Sequence, residues 1–307
     1  MDLGKNYKNL YISFDCEGPF GMYEFINSFK DLSRYKLLDK AIKFLHKYHT
    51  DKEIPVTCGI LIMTLLDNKK DLNYYFEKYN LCNSNNSSLI NKIKNNSEFI
   101  KLIDKNPEYF FKGGLIKNLN NMNSNFIKYC SHTFSHIHFS ETNIPIHQIE
   151  LDIKISKIIL EKIFKKDQIC KSIILPRNQH DKNLIRICEK YNFKSLRISS
   201  QLKLYSENNN KIFIKRFFYK LLRKYDQKSL PFSTLLQCFN NYSQNINFKN
   251  ETINCIDSGF FIPFPGKKSQ IKPYIKSIKR YLYKSIESKN DISIWFHPHN
   301  LLNNFEL

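Results

Sequence analysis

The hydrophobic and polar positions along the chain divide it into short apolar runs and longer stretches with helical spacing. Six runs have the length of strands: NLYISF (9–14), IPVTCGI (54–60), FIKYCS (126–131), SIILP (172–176), FKSLRIS (193–199) and ISIWF (292–296). Apolar strands separated by helical patterns are typical of a parallel sheet or barrel. The pattern therefore predicts an α/β protein.

Two of the intervening segments have the spacing of amphipathic helices. In QIELDIKISKIILEKIF (148–164) the apolar face consists of Leu151, Ile155, Ile158, Ile159 and Ile163. Near the C-terminus the corresponding face consists of Ile271, Ile275, Ile278, Leu282 and Ile286. Asn-rich stretches at 83–88, 95–97 and 118–125 are typical of surface loops. Since no repeat or Pro/Gly/Ser-rich linker divides the chain, we expect one catalytic domain over residues 1–307.

The composition supports a folded protein without a membrane span. The 307 residues are 42% hydrophobic and include 25 Phe and 18 Tyr, which is enough for a large core. No apolar run approaches the roughly 18 residues that a membrane span needs, and the first residues contain no apolar region of a secretory signal. Eight cysteines without a CxxC pair fit buried thiols in a reducing compartment. These features predict a cytoplasmic location.

The net charge of +20 raises the question of an acidic partner. Lys, Asn, Ile, Phe and Tyr are abundant together, as in proteins from AT-rich genomes, and the basic residues are spread along the chain. This spread argues against nucleic acid as the partner. An acidic glycan or an anionic membrane is at least as compatible with the charge.

A basic amphipathic segment lies within a helical region at about 205–250. In KIFIKRFFYKLLRKY (211–225) apolar side chains share one face and basic side chains flank it. Such a helix can lie on an anionic bilayer, which predicts peripheral contact with the inner face of the membrane. The alternative is a helix that covers the barrel and turns its lysines to solvent.

Titratable residues follow four of the predicted strands. Asp15 and Glu17 follow the first, His132 and His136 the third, Arg177 the fourth and His297 the last; they occur in SFDCEG, SHTFSH, LPRNQH and SIWFHPHN. The carboxyl ends of parallel strands meet at one edge of a sheet or barrel, where catalytic groups converge. We therefore expect these side chains to share one site.

The types of residue indicate a metal centre. His132 and His136 are four residues apart, so a helical turn would direct both imidazoles toward a divalent ion such as Zn²⁺. The alternative is a pair of partly exposed loop histidines. Asp15 and Glu17 share a face of an extended strand, so one can bind the ion and the other can accept a proton from water. A solvated strand end is the alternative for the acids.

Two further residues have expected roles in this chemistry. Arg177 can hold a carboxylate with two hydrogen bonds and keep it ionised. His297, across the site, can protonate a leaving group. His138 is expected to point elsewhere, and Cys130 is either a buried thiol or a thiolate near the metal.

With these four motifs in order over residues 10–302, the sequence resembles the polysaccharide deacetylases of the NodB-homology type (carbohydrate esterase family 4). The similarity is greatest to the branch found in lipopolysaccharide and O-antigen biosynthesis clusters. The resemblance implies a single distorted (β/α) barrel and metal-dependent removal of an N-acetyl group from a sugar. It also implies a role for each motif residue: Asp15 as general base, Glu17, His132 and His136 as ligands of Zn²⁺, Arg177 as the residue that orients Asp15, and His297 as general acid.

The sequence departs from the family pattern in two ways that affect these roles. The first motif has Asp15–Cys16–Glu17 in place of two adjacent aspartates, which leaves open which acid is the base. The third motif lacks the tyrosine that many members use at the oxyanion. We expect the substrate to contact other residues: Asn178, Gln179, Trp295, His299 and Asp257.

The sequence thus predicts a deacetylase that acts on a sugar in a cell-surface glycan or on its nucleotide- or lipid-linked precursor. Two alternatives stay open at this point. One is a basic metal-dependent nuclease or nucleic-acid-binding protein, and the other is a catalytically silent barrel that binds glycan. The sequence indicates no oligomeric state.

Overall fold

A computed structural model of the chain describes residues 9–81, 88–121, 124–139, 144–178, 182–198, 253–257, 260–261, 275–276, 278–279, 282–283 and 292–302. Within these residues eight strands form a single sheet in which every paired strand is parallel to its neighbour. The strands are β1 (Leu10–Cys16), β2 (Val56–Ile60), β3 (Ile127–Ser131), β4 (Ile169–Ile174), β5 (Ser195–Ile198), β6 (Asn254–Asp257), β7 (Phe260–Phe261) and β8 (Ile292–Phe296).

The sheet is curled but open in the described part of the chain. Its strand order is β6-β5-β4-β3-β2-β1-β8-β7, so β6 and β7 form opposite edges and do not pair. Only two residues separate Asp257 from Phe260, so chain connectivity brings these edges within roughly 11 Å of each other. The predicted α/β class is therefore confirmed, and the described strands form a barrel-like sheet that is open, where the resemblance implied a distorted barrel.

Helices connect the strands. The longer ones are α3 (Leu38–Asp51), α5 (Lys69–Lys78), α6 (Ser88–Asn95), α7 (Ser97–Lys105), α9 (Gly113–Asn120), α10 (Ile146–Ile163) and α11 (Lys182–Lys190). Single turns are α1 (Gly18–Gly21), α2 (Phe29–Leu32), α4 (Ile62–Leu65), α8 (Pro107–Phe110) and α12 (His299–Leu302). Short 3₁₀ turns cover Tyr23–Phe25, Ser33–Tyr35 and Pro176–Asn178.

The central strands are buried because helices cover the sheet. One apolar cluster joins β1, β2, β3 and β8 to the helices between β1 and β4, and a second joins β4 and β5 to α10 and α11. Residues such as Phe14, Ile60 and Ile127 are almost completely buried, as expected for strands of a parallel sheet. This packing holds the carboxyl ends of the central strands in a fixed arrangement.

The helical predictions are confirmed in most positions. Helix α10 spans Ile146–Ile163 and buries Ile155 and Ile159, but Ile158 is 39% exposed. The polar residues Asp152 and Ser156 share the buried face. Asp152 binds the loop that follows β3, and Ser156 accepts a hydrogen bond from Ser131 at the end of that strand (2.8 Å). The predicted apolar face is therefore confirmed except at Ile158.

Other predictions are tested only in part. Residues 275–276, 278–279 and 282–283 are helical, and Ile278 and Leu282 pack on the first cluster, while Ile275 is exposed. Of the Asn-rich stretches, 118–125 begins inside α9, and Asn96 accepts a hydrogen bond from the Phe99 amide at the start of α7 (2.9 Å). The basic segment at 205–250 lies outside the described residues. Among the described helices, none is long and apolar enough to cross a membrane.

Candidate metal centre

The carboxyl edge of the sheet brings the predicted motif residues together. Asp15 lies in β1, Glu17 follows it, His132 directly follows β3, and His297 directly follows β8. These strands are parallel and close in the sheet, since β2 and β8 are the two neighbours of β1. Three chain segments that are distant in sequence therefore converge on one site.

Glu17, His132 and His136 form a compact cluster of ligand atoms. His136 Nε2 lies 2.9 Å from Glu17 Oε2, and His132 Nε2 lies 3.3 Å from the same oxygen. One ligand atom from each residue lies within 4.8 Å of the other two, and all three side chains are buried. It is the one cluster of this kind found among the described residues. The three side chains thus converge as the sequence predicts. Because they are buried, partly exposed loop histidines and a solvated strand end do not describe them.

Local backbone geometry places Glu17. The residue follows β1 and begins the single turn α1, and Gly18 next to it has φ +54°, a left-handed conformation that glycine adopts without strain. The Thr64 hydroxyl donates to the Glu17 carbonyl oxygen (2.9 Å). These contacts bend the chain directly after the strand, so the Glu17 carboxylate lies at the edge of the sheet.

The loop that carries the two histidines is held by buried polar contacts. Asp152 on α10 accepts hydrogen bonds from the backbone amides of Phe134 (2.7 Å) and Ser135 (3.0 Å) and a short one from the Ser135 hydroxyl. Thr133 and His136 have φ of 65° and 51°, which is unfavourable for non-glycine residues. Asp152 therefore stabilises a loop conformation that the backbone alone disfavours.

His132 has a fixed orientation as well. Its Nδ1 lies 2.9 Å from the carbonyl oxygen of Ile174 at the end of β4. Because a carbonyl only accepts, Nδ1 carries the proton and Nε2 presents a lone pair toward Glu17 and His136. This is the arrangement in which a histidine binds a metal ion.

Asp15 is paired with a residue that the sequence analysis did not identify. Arg197 in β5 donates to Asp15 Oδ1 over 3.0 Å and makes a second, short hydrogen bond to Oδ2. The same guanidinium donates to the Ser13 hydroxyl (3.0 Å) and to Asn178 Oδ1 (2.7 Å). Its Cζ lies 4.4 Å from the centroid of the Trp295 ring. The bidentate pair fixes the orientation of the Asp15 carboxylate.

Arg177, which was expected to orient Asp15, has a different partner. Its Nη2 donates to both carboxylate oxygens of Glu24, over 3.1 and 3.0 Å. Arg177 and Asn178 have φ of 54° and 53°, so the chain turns sharply after β4 and the Arg177 side chain lies at the partly exposed rim. The structure thus corrects the identity of the arginine at Asp15 from Arg177 to Arg197.

His297 closes the opposite side of the cluster. Its Nε2 lies 3.1 Å from Glu17 Oε1, the carboxylate oxygen that is not shared with His132 and His136. Burial lowers the pKa of His297, but the Glu17 carboxylate outweighs this effect, so that the pKa is raised above its ordinary value. A histidine with a raised pKa retains a proton that it can donate.

The other ionisable groups of the cluster are held in the forms that bind metal ions. Burial raises the pKa of Glu17, but His297 and His136 lower this pKa by more than burial raises it. The pKa of Glu17 therefore lies well below its ordinary value. Burial lowers the pKa of His136 to about 4, although Glu17 opposes this shift. Glu17 is therefore a carboxylate and His136 a neutral imidazole at neutral pH.

The residues expected to contact substrate lie in different surroundings, and only some of them lie beside Asp15 and Arg197. Asn178 is buried and supports Arg197, and Trp295 stacks on the same guanidinium. His299 is buried beside Tyr35, with ring centroids 5.0 Å apart, and burial lowers the pKa of His299 to about 3. Asp257 is the last residue of β6, and Gln179 lies outside the described residues.

Cys130 is a buried thiol that does not belong to the ligand cluster. Burial raises the pKa of the Cys130 thiol well above its ordinary value, which disfavours the thiolate that a metal ion would bind. Of the two interpretations of this residue, the buried thiol agrees with the structure.

Two residues that support the candidate site were not predicted from the sequence, although the sequence contains a signal for each. Arg197 is a charged residue inside the apolar run FKSLRIS, and a buried arginine requires an acidic partner. Asp152 occurs on the apolar side of the helical pattern of α10. In both cases the signal is a charge at a position that the pattern assigns to the core.

The donor set fits a divalent cation of borderline softness. Two imidazoles and one carboxylate are a common set for Zn²⁺, and they leave room for water or substrate. The protonation states given above are those in which each group offers a lone pair. The cluster is thus compatible with a divalent metal, and its chemistry does not by itself distinguish zinc from similar ions.

No family model and no curated protein matches the sequence. Among solved structures, similarity is found to the Streptococcus pyogenes deacetylase PplD in complex with acetate, with 11% identity and a TM-score of 0.34 over 62% of this chain and 56% of that chain. The carbohydrate deacetylase Agd3 has 10% identity and a TM-score of 0.45 over 97% and 46%. A 4-α-glucanotransferase from Thermococcus litoralis has 10% identity and a TM-score of 0.42 over 96% and 34%.

The chain spans less than two thirds of the length of each of these three proteins. Their TM-scores lie below 0.5 and their identities below 25%, so none of these similarities supports a family or an activity. Fold class and site rest on the geometry described above.

Proposed function

We propose that this protein is a metal-dependent carbohydrate N-deacetylase with a barrel-like catalytic domain of the polysaccharide deacetylase type. The observation that carries the proposal is the arrangement around Glu17, in which two imidazoles meet one carboxylate oxygen and His297 meets the other. Next to this cluster a second carboxylate, Asp15, is held by Arg197. A ligand set, a base and an acid at one buried site are the parts that amide hydrolysis requires.

Glu17, His132 and His136 would hold the cation, with Zn²⁺ as the proposed ion. When bound, such an ion supplies Lewis acidity, which makes water more acidic and a carbonyl group more electrophilic. This assignment makes Glu17 a ligand and leaves Asp15 as the base. It thereby gives distinct roles to the two acids of the first motif.

Asp15 would accept the proton of the attacking water. Arg197 donates to both oxygens of Asp15, yet each oxygen has a further lone pair for a proton. The guanidinium fixes the orientation of the Asp15 carboxylate, so the base has a defined position beside the ligand cluster. His297 would then donate a proton to the amine nitrogen as the C–N bond of the acetamido group breaks, which releases acetate and the free amino sugar.

The proposed substrate is an N-acetylated sugar in a cell-surface glycan or in its nucleotide- or lipid-linked precursor. The proposal follows from the motif resemblance and from a site that would combine a cation, a base and an acid. The proposed location is the cytoplasm, with peripheral contact to the inner face of the membrane through the basic segment 211–225. Flotation with anionic liposomes at moderate salt tests that contact, and absence of binding removes it.

The decisive experiment measures acetate release from a panel of UDP-linked and polyprenyl-linked N-acetyl sugars. We expect release by the wild-type protein that depends on a divalent metal and is lost in Asp15→Asn, while that variant still binds the metal. Equal release by Asp15→Asn would contradict the mechanism. Nucleic-acid cleavage without acetate release would favour a nuclease, and a protein that binds glycan without metal would favour the silent barrel.

A further inference from the structure

The third histidine of the SHTFSHIH stretch contacts a candidate metal ligand. His138 Nε2 lies 3.3 Å from His136 Nδ1, and the two ring centroids are 5.1 Å apart. His138 is buried. It therefore meets the ring nitrogen of His136 that faces away from the proposed cation.

We propose that His138, Glu24 and Arg177 form a hydrogen-bonded relay that orients His136 and fixes the proton on its Nδ1, so that its Nε2 lone pair is presented to the metal. This inference rests on the proposed metal-binding function of Glu17, His132 and His136. It makes His138 a positioning residue, where the sequence suggested a side chain that points elsewhere.

The chemistry of the two rings determines where the protons lie when a cation is bound. A neutral imidazole has one N–H, so a cation on His136 Nε2 leaves the proton on Nδ1. His136 Nδ1 then donates to His138 Nε2, which must be unprotonated. His138 consequently carries its own proton on Nδ1, and that nitrogen faces a carboxylate: Glu24 Oε1 lies 3.5 Å away.

Arg177 completes the relay at the rim of the site. Its guanidinium donates to both oxygens of Glu24 over 3.0 and 3.1 Å, which holds this carboxylate beside His138. Arg177 and His138 both donate to Glu24 in this relay, and His136 donates to His138. The relay thus assigns a role to Arg177, the arginine of the third motif, which does not contact Asp15.

The two metal-binding histidines are supported in different ways. His132 Nδ1 lies beside the carbonyl of Ile174, a fixed backbone acceptor. His136 lies in a loop with left-handed backbone, φ 51°, and a side chain supplies its acceptor. Partners of this second kind commonly raise metal affinity by about 10–100-fold.

Zinc affinity of the full-length protein, measured by competition with a chromogenic chelator, tests the relay. His138→Leu fills a similar volume but offers no acceptor, and we expect zinc affinity to fall by about 10–100-fold. His138→Gln has an amide oxygen that accepts from His136 and an amide N–H that donates to Glu24, so we expect affinity to return toward the wild-type value. Unchanged affinity in His138→Leu would overturn the proposal.

A matched control separates positioning from general destabilisation. His49 is also buried, and its Nδ1 lies 2.9 Å from the Ile54 carbonyl, away from the ligand cluster. His49→Leu should lower the melting temperature of the metal-free protein and leave zinc affinity unchanged. If it lowers zinc affinity as much as His138→Leu does, the effect of His138 is structural and the proposal fails.

Glu24→Gln and Arg177→Ala test the outer links. Their side chains are 38% and 41% exposed, so we expect each to reduce zinc affinity less than His138→Leu does. Equal affinity of wild type and Glu24→Gln would remove Glu24 from the relay. Failure of the proposed function itself gives a different result, because wild type would then bind no zinc or release no acetate in the presence of bound zinc.

Discussion

Arg197 donates to both carboxylate oxygens of Asp15, and the two side chains are only 6% and 2% exposed. A charged pair this deeply buried is stable only while both partners are present, since either charge alone would lie in a medium of low polarity. The pair also joins β1 to β5, two strands that have three others between them in the sheet. Arg197 therefore contributes to the fold and to the proposed base at once.

Removing this arginine should destabilise the protein and stop the reaction. We expect Arg197→Met to lower the free energy of unfolding by about 3–5 kcal/mol, because Asp15 would remain buried without its partner. Urea denaturation followed by circular dichroism measures the loss. Lys47→Ala, which breaks the exposed pair between Lys47 and Asp51, should change stability by less than about 1 kcal/mol.

The double variant Asp15→Leu/Arg197→Met sharpens this test. Replacing both charges with apolar side chains leaves no unpaired buried charge, so stability should recover toward the wild-type value although activity stays lost. If the double variant is as unstable as Arg197→Met alone, the destabilisation does not come from the unpaired carboxylate.

The Glu17 side chain occupies the space beside Gly21, which is free because glycine has no side chain. A Cβ added at Gly21 would lie 2.5 Å from Glu17 Cβ and 2.6 Å from Glu17 Oε2, so Gly21→Ala should displace the carboxylate and weaken zinc binding. Gly114 in α9 is the control, because an added Cβ would have no atom within 4 Å. Gly114→Ala should keep zinc affinity and raise stability slightly. Equal zinc affinity in the two variants would contradict the placement of Glu17.

Zinc should stabilise the folded protein only where the ligand set is intact. A ligand at 100 times its dissociation constant stabilises by about 2.7 kcal/mol, so the melting temperature of the wild type should rise on addition of zinc. Glu17→Gln should remove this rise, whereas Asp15→Asn should retain it. A zinc-dependent rise in Glu17→Gln equal to that of the wild type would mean that Glu17 is not a ligand.

Asp152 predicts a pH dependence of stability. Burial raises the pKa of Asp152 to about 6, although hydrogen bonds from Ser135 and Phe134 oppose the shift; in the unfolded chain an Asp has a pKa of about 3.9. The native state thus binds this proton more tightly. The raised pKa of Asp152 stabilises the folded state fully below about pH 4. This stabilisation is lost as the pH rises through about 6. At pH 7 the loss is on the order of 3 kcal/mol.

Urea unfolding at several pH values checks this sign. Between about pH 4 and 6, Asp152 should make the free energy of unfolding of the wild type fall by up to about 1.4 kcal/mol per pH unit. Asp152→Asn has no titratable group at this position and should lack this decrease. Asp31 is a control of opposite sign, since a hydrogen bond from the Asn27 amide and others from Ser28 lower the pKa of this exposed residue. Its stabilisation is present above its unfolded pKa and is lost as the pH falls. Equal pH profiles for Asp152→Asn and wild type would contradict the raised pKa.

The ends of the strands were predictable because short-range patterns encode them. An apolar run followed by a polar residue places Asp15, His132 and His297 at strand ends, and in a parallel sheet such ends share an edge. The close approach of Glu17, His132 and His136 follows from this rule. Spacing along the chain was therefore sufficient for the ligand cluster.

Pairing across the sheet was not predictable in the same way. Arg177 and Arg197 both lie near strand ends, and local sequence does not say which guanidinium reaches Asp15. The choice depends on the left-handed turn at Arg177 and Asn178 and on the curvature of the sheet. Whether the edge strands β6 and β7 pair to close the sheet likewise depends on tertiary packing, which a pattern of apolar residues does not specify.

The position of β1 has a consequence for the order in which the site is completed. β1 pairs with β2 on one side and with β8 on the other, where Leu10 is opposite Ile292. The three candidate ligands are all made by residue 136, whereas His297 is made 161 residues later. At synthesis rates of about 5–20 residues per second, a growing chain contains its candidate metal ligands for on the order of ten seconds or more before His297, its proposed general acid, is synthesised. Under the proposed function, metal binding can thus precede the last step of sheet assembly, and the complete hydrolytic site forms only with the final strand.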